Sequence, residues 1–143
     1  EDPVNALLGF TYALLESDIR RACVTVGLDP YIGFLHRPRH GCPSCALDLM
    51  EAFRPVVADA VALRLVNHRI LDPDHFEHRD GGTFLTDAGR THVYRAYDRR
   101  RQETVTPPGL GTSVALYRAF EAQARLLARS LTEGESYEPF TIR

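Results

Sequence analysis

The sequence predicts a mostly α, multi-helix domain with at most a small β-ribbon. Three observations carry that prediction. Apolar residues recur at helical spacing through two long stretches, Val4 to Val26 and Ala46 to Leu65. Helix-starting residues stand ahead of each helical stretch: Asp2-Pro3, Ser44, Thr86, and Thr112 or Ser113. One glycine-rich turn, Asp80-Gly81-Gly82, sits between two short segments that can pair.

In the first element, Asp2 is a good N-cap and Pro3 suits the first helical position. Val4, Leu8, Tyr12, Leu15, Ile19, Ala22 and Val26 form one stripe, and Leu7, Phe10 and Leu14 a second. A helix that is apolar on two sides belongs at the centre of its domain. Gly27 ends it as the residue after the cap. An apolar passage, Tyr31 to Leu35, leads to His36, and two prolines and a glycine make residues 37–43 a loop. Ser44 caps a second long helix whose core stripe includes Leu49, Phe53 and Val57. Pro55 lies inside that pattern. Its ring clashes with the carbonyl of Glu51 and it has no N–H to donate, so the helix must bend or restart there. Asp72-Pro73 begins a short helical turn, residues 76–85 form the ribbon, and Thr86 caps a helix over 87–103. Residues 106–111 are loop. Thr112 or Ser113 caps a last helix to about Leu131, and Tyr137-Glu138-Pro139-Phe140 is a docked terminus.

With 143 residues, 44% hydrophobic and 25% charged, the chain has the size and composition of one soluble globular domain. No apolar run approaches the ~20 residues of a spanning helix. The sequence does not begin with Met and has no leader-like basic and apolar start, so a fragment of a larger protein is as fair an expectation as a whole one. All 17 basic residues are Arg, which excludes lysine-dependent Schiff-base and P-loop chemistry. A net charge of −2 argues against a general polyanion binder and leaves room only for a local basic patch. Three cysteines, an odd number, fit a reducing cytoplasm better than a disulfide scaffold.

Several constellations can carry chemistry. Asp48 and Glu51 are neighbours on one face of the second helix, opposite the Leu49–Phe53–Val57 stripe. Two acids on a solvated face need no special explanation. However, Ala52, Pro55 and Ala58 share that face and keep it small, and His36 arrives from just upstream. One imidazole with carboxylates on an open ion suits Mn²⁺ or Mg²⁺ better than a thiolate metal. Arg37 and Arg39 flank His36, well placed for phosphate, whereas Arg99-Arg100-Arg101 read as a solvated helix end. Cys42-Pro43-Ser44-Cys45 is a lone C-x-x-C, to which His40 or Cys23 adds a zinc ligand only by accident of folding. His75 and His78 have metal-like spacing and read as surface histidines.

The segment from Asp2 to Ile70, with DPVNALL, GLDPYIGFLH and ALDLMEAFRP in that order, resembles the C-terminal catalytic domain of the CRISPR-associated integrase that inserts new spacers into CRISPR arrays. LTDAGR near residue 85 and YEPF at 137 extend the likeness along essentially the whole chain. The resemblance implies a helical domain of residues 1–143 that follows a β-rich N-terminal domain. It implies joining of prespacer 3′-OH ends to a target phosphodiester with Mg²⁺ or Mn²⁺, endonuclease activity, and a role in antiviral defence. It further implies a homodimer of the full-length protein assembled on a small second adaptation protein, with DNA and no membrane as partner. His36 and Glu51 match the family's metal ligands, and Asp48 a ligand or a close supporting residue. The family's further acidic ligand falls before residue 1, so the isolated chain is expected to fold without catalysing. Cys42 and Cys45 are not part of the family pattern. Two other readings use the same residues: a helical interaction module whose acids are only surface, and a small zinc-stabilised domain built on the cysteines.

Overall fold

A computed structural model describes residues 2–31, 44–107 and 110–141, apart from the Ser44 side chain. Helix α1 spans Pro3–Thr25, with the Asp2 carboxylate accepting from the Val4 N–H. Its C-terminus closes on Gly27, at φ 84°. The Leu28 N–H reaches back to the Cys23 carbonyl and the Gly27 N–H to that of Val24, so the last free carbonyls are satisfied. Leu7, Leu15, Ile19 and Cys23 are buried, and α1 is packed on several sides, with its Phe10 ring edge-on to Tyr94 at 5.4 Å and its Asp18 carboxylate accepting from the Tyr97 hydroxyl. The central position predicted from its two apolar stripes is therefore met.

Helix α2 covers Ser44–Phe53 and α3 covers Ala60–Asn67. Between them Arg54–Asp59 form one π-helical turn. Pro55 accounts for it: an α-helix would press its ring against the Glu51 carbonyl and leave that carbonyl without a donor, and the wider turn relieves the clash. The interruption falls where the sequence places it, and the apolar stripe passes through it intact, with Leu49, Phe53, Val57, Val61 and Leu65 all buried.

The Asp72 carboxylate caps a short 3₁₀ turn at Pro73–His75, and β1 (Phe76–Arg79) pairs antiparallel with β2 (Gly82–Leu85). Asp80 and Gly81 both have positive φ, as a two-residue hairpin turn of matching twist demands. Helix α4 (Asp87–Gln102) starts at Thr86, whose hydroxyl accepts from the Gly89 N–H. Gly89 is required there by space: a Cβ would stand 2.5 Å from the His75 carbonyl oxygen.

The next connection differs from expectation. Thr104–Val105 (β3) pairs with Val114–Ala115 (β4), a second ribbon that two-residue strands leave no periodicity to reveal. Neither Thr112 nor Ser113 caps the final helix. The Ser113 hydroxyl bonds that of Thr106 across the ribbon, and α5 (Leu116–Glu133) begins after Ala115 with no side-chain cap. Its first N–H, that of Leu116, goes to the Glu103 carbonyl instead. The terminus docks as predicted: Phe140 stacks on Phe53, with ring centroids 4.5 Å apart, and Phe53 meets Phe120 edge-on at 4.8 Å. Among the described residues no helix is long and apolar enough to cross a membrane.

Candidate active site

The two acids of α2 have different surroundings. Glu51 points outward, its side chain 51% exposed. Asp48 is buried, 5% exposed. The expectation that both lie on a solvated face is thus corrected for Asp48. The core at this level is broad, because α1 and the docked terminus both reach α2, and one helical turn carries Asp48 beneath the rim. Ala58 is buried as well, so the small, open face narrows to Ala52 and Pro55 beside Glu51.

Glu51 is held from one side. Arg54 Nη1 donates to Glu51 Oε1 at 3.0 Å. The Arg54 guanidinium lies 4.4 Å from the centre of the Tyr12 ring, and the Tyr12 hydroxyl donates to Asp59 Oδ1 at 2.7 Å. Contact with Tyr12 and then with Glu51 pushes the Arg54 pKa above its usual value, against the effect of burial. Stacking on an aromatic face and forking onto a carboxylate both use the flat guanidinium, which an ammonium would not replace. One oxygen of Glu51 is thereby oriented by α1 and the π turn. Arg100 steadies that turn from the other side, its Nε donating to the Val56 carbonyl at 2.7 Å.

His36, Arg37, Arg39, His40 and Cys42 lie outside the described residues. Cys45 is buried at the start of α2, and its neighbour is Cys23 of α1, with sulfurs 4.0 Å apart and both thiols free. The hydrogen bond with Cys45, and burial after it, hold the Cys23 thiol far above the usual thiol range. Tyr137 closes over this pair; burial first, and then the two sulfurs, push its hydroxyl up to about 12. Sequence spacing gives no sign of the Cys23–Cys45 contact, which is made entirely by the crossing of α1 and α2.

Among the described residues no three His, Cys, Asp or Glu side chains gather as a metal cluster. Cys45 is buried against Cys23, and the donor that α2 exposes is the Glu51 carboxylate, a hard ligand that fits Mg²⁺ or Mn²⁺ better than a thiolate metal. His75 and His78 are occupied otherwise. His75 Nδ1 accepts from the Asp72 N–H at 3.0 Å, and His78 Nδ1 bonds the Thr83 hydroxyl at 2.9 Å. The arginine run is not the solvated end expected of it. Arg100 is tied to Val56 and Glu103, and Arg101 to Asp18, with its guanidinium 5.3 Å from the Tyr117 ring centre. Only Arg99 is left to solvent.

Comparison with known proteins adds the following. The family model described as "CRISPR associated protein Cas1" matches residues 1–99. A protein of Rhodospirillum rubrum named CRISPR-associated endonuclease Cas1 2 is 48% identical over 141 residues, covering 97% of this chain and 41% of the relative. A Cas4/Cas1 exonuclease–endonuclease fusion of Geobacter sulfurreducens is 43% identical over 144 residues, all of this chain and 26% of the relative. The chain thus spans between a quarter and about two fifths of the length of these curated relatives. Among solved structures, a casposase bound to integration product superposes with a TM-score of 0.87 at 27% identity, over 94% of this chain and 39% of that one.

Proposed function

The chain belongs to the Cas1 family of CRISPR-associated proteins, and from that premise we propose that it is part of a metal-dependent DNA endonuclease and integrase acting in CRISPR spacer acquisition. The reaction is the joining of prespacer 3′-OH ends to the CRISPR array. The observation that carries this reading is the placement of Glu51: an exposed carboxylate, oriented by Arg54 and standing at the entry to a π-helical turn. Such turns recur at functional sites because they fix a side chain in a geometry a regular helix does not offer. The likeness to an endonuclease along 97% of the chain, and to a protein bound to an integration product, supports it.

In this reading Glu51 and His36 hold Mg²⁺ or Mn²⁺. Asp48, buried one turn earlier, either completes the ligand set or fixes the helix beneath it. The ion, when bound, supplies acidity to a hydroxyl and charge to a phosphorus centre. The chain's own residues do the rest. Arg54 presents the Glu51 carboxylate with one oxygen engaged, which leaves the other for the ion. Arg37 and Arg39 set the DNA backbone by forking onto phosphate, and the Phe53–Phe140 stack keeps α2 from shifting. The partners are DNA, a second copy of the full-length protein and the small second adaptation protein.

Mn²⁺ titration by electron spin resonance tests the ligand set without turnover. Glu51→Ala and His36→Ala are each expected to weaken Mn²⁺ binding by tenfold or more. Unchanged binding in both variants would remove these residues from the metal site.

A further inference from the structure

Between α3 and α4 lies a cleft of about 280 Å³. Its walls carry Arg64, His68, Arg99, Arg100 and Glu103, over a floor that includes Val61. We propose that this cleft is a second DNA-contact site, in which Arg64 and Arg99 grip backbone phosphate; the proposal rests on the DNA-acting reading above.

Five other arginines are neutralised within their own helical stretch. Arg20, Arg54, Arg90, Arg125 and Arg129 each pair with a carboxylate three or four residues away on the same helix or helical stretch. That is the ordinary way for a helix to neutralise a cation. Arg64 has no acid at those spacings: Ala60, Val61, Asn67 and His68 occupy them. Arg99 has one, Glu103, and Arg100 takes it. Among the described residues Arg64, Arg69, Arg95, Arg99 and Arg118 enter no ion pair, and of these Arg64 and Arg99 line one concavity. A cation in the last turn of a helix offsets the helix dipole. That accounts for one charge on each helix, but not for two unpaired arginines lining one cleft.

The remaining groups favour the same ligand. Arg100 is a fixed wall, since its Nε is spent on the Val56 carbonyl and its Nη1 on Glu103. Glu103, the one acid facing the cleft, is neutralised by that contact. His68 also lines the cleft. The cleft is small for a drug-sized organic ligand, which occupies roughly 300–1,000 Å³, and its walls are polar, so a phosphate group with part of a sugar suits it. Arginine forks onto phosphate oxygens in pairs, and such contacts fix the position of a duplex without reading its bases. Through Arg100 and Val56 the cleft is tied to the turn that follows Glu51, so a strand held there is held relative to the candidate catalytic helix.

The test is the salt dependence of DNA binding by the full chain. Kd for duplexes of several unrelated sequences is measured from 50 to 200 mM salt, for the parent, Arg64→Gln/Arg99→Gln, Arg64→Lys/Arg99→Lys and Arg125→Gln/Arg129→Gln. Each phosphate contact adds about 0.9 to the log–log slope. The Gln pair is expected to lower the slope by about 2 on every sequence, so that its loss of affinity is about tenfold greater at 50 mM than at 200 mM salt. The Lys pair keeps most of the slope, the slope of the Arg125→Gln/Arg129→Gln control, which loses the same charge outside the cleft, is unchanged, and all four proteins melt alike. An unchanged slope in the Gln pair overturns the proposal, as does a loss confined to one sequence. A cleft that takes up inorganic phosphate by calorimetry but leaves the DNA slope unaltered is an anion site only, and that also overturns it. If the parent itself binds no DNA at any salt, the DNA-acting reading has failed, which separates the two failures.

Discussion

Asp48 and Glu51 are one helical turn apart on α2, and they teach opposite lessons. Asp48 is sunk among the core residues of α1 and α2, 5% exposed, where an ionised group is tolerated only with polar company. Glu51 stands at the rim with a 3.0 Å bond from Arg54 on one oxygen and solvent on the other. Burial therefore separates two acids that spacing alone puts on one face: Glu51 meets solvent directly, and Asp48 lies beneath it among packed side chains.

The largest expected effect is on the inner side. Phe53→Ala removes a ring packed between Phe120 and Phe140 and is expected to destabilise by about 3–5 kcal/mol in a denaturant melt. A loss below ~0.5 kcal/mol would mean that this side does not pack as described. Asp48→Ala leaves buried polar surroundings without their carboxylate, and about 1–3 kcal/mol should be lost along with activity. If stability is unmoved while activity falls, Asp48 belongs with Glu51 and the contrast collapses.

Helix ends offer a smaller version of the same test. Gly27 and Arg69 both occupy the left-handed position after a helix, at φ 84° and 53°, with the same pair of returning hydrogen bonds. Only Gly27 does so without a Cβ. Arg69→Gly is expected to stabilise by up to about 1 kcal/mol, read from the urea midpoint. Glu51→Ala should change stability least, by no more than ~0.5 kcal/mol, because an exposed side chain leaves no cavity.

How far the sequence reveals this molecule follows from the same division. Elements with a local cause are legible. Asp2-Pro3 and Gly27 bound α1, Pro55 interrupts α2, Asp80-Gly81 turns the hairpin and Thr86 starts α4, each through chemistry confined to a few residues. Features made by tertiary crossing are not. The Cys23–Cys45 contact, the burial of Asp48 and the separate engagement of Arg100 with Val56 and of Arg101 with Asp18 all depend on which helix lies alongside. The β3–β4 ribbon escapes because two-residue strands have no period, and it displaces the start of α5 from the hydroxyls at 112 and 113. Of the candidate site, Glu51 is where the sequence places it, Asp48 is deeper than expected, and His36, Arg37 and Arg39 fall outside the described residues.

Mn²⁺-dependent joining of a labelled 3′-OH DNA end to a target duplex, measured in the full-length protein for Glu51→Gln beside a thermal melt of the same sample, tests the central claim most directly. The account predicts that joining falls by at least 100-fold while the midpoint stays within about 2 °C, as expected when an exposed group acts in chemistry and not in packing. Joining at the parent rate by a protein that melts normally would contradict it, since the outward acid of α2 would then take no part in the reaction.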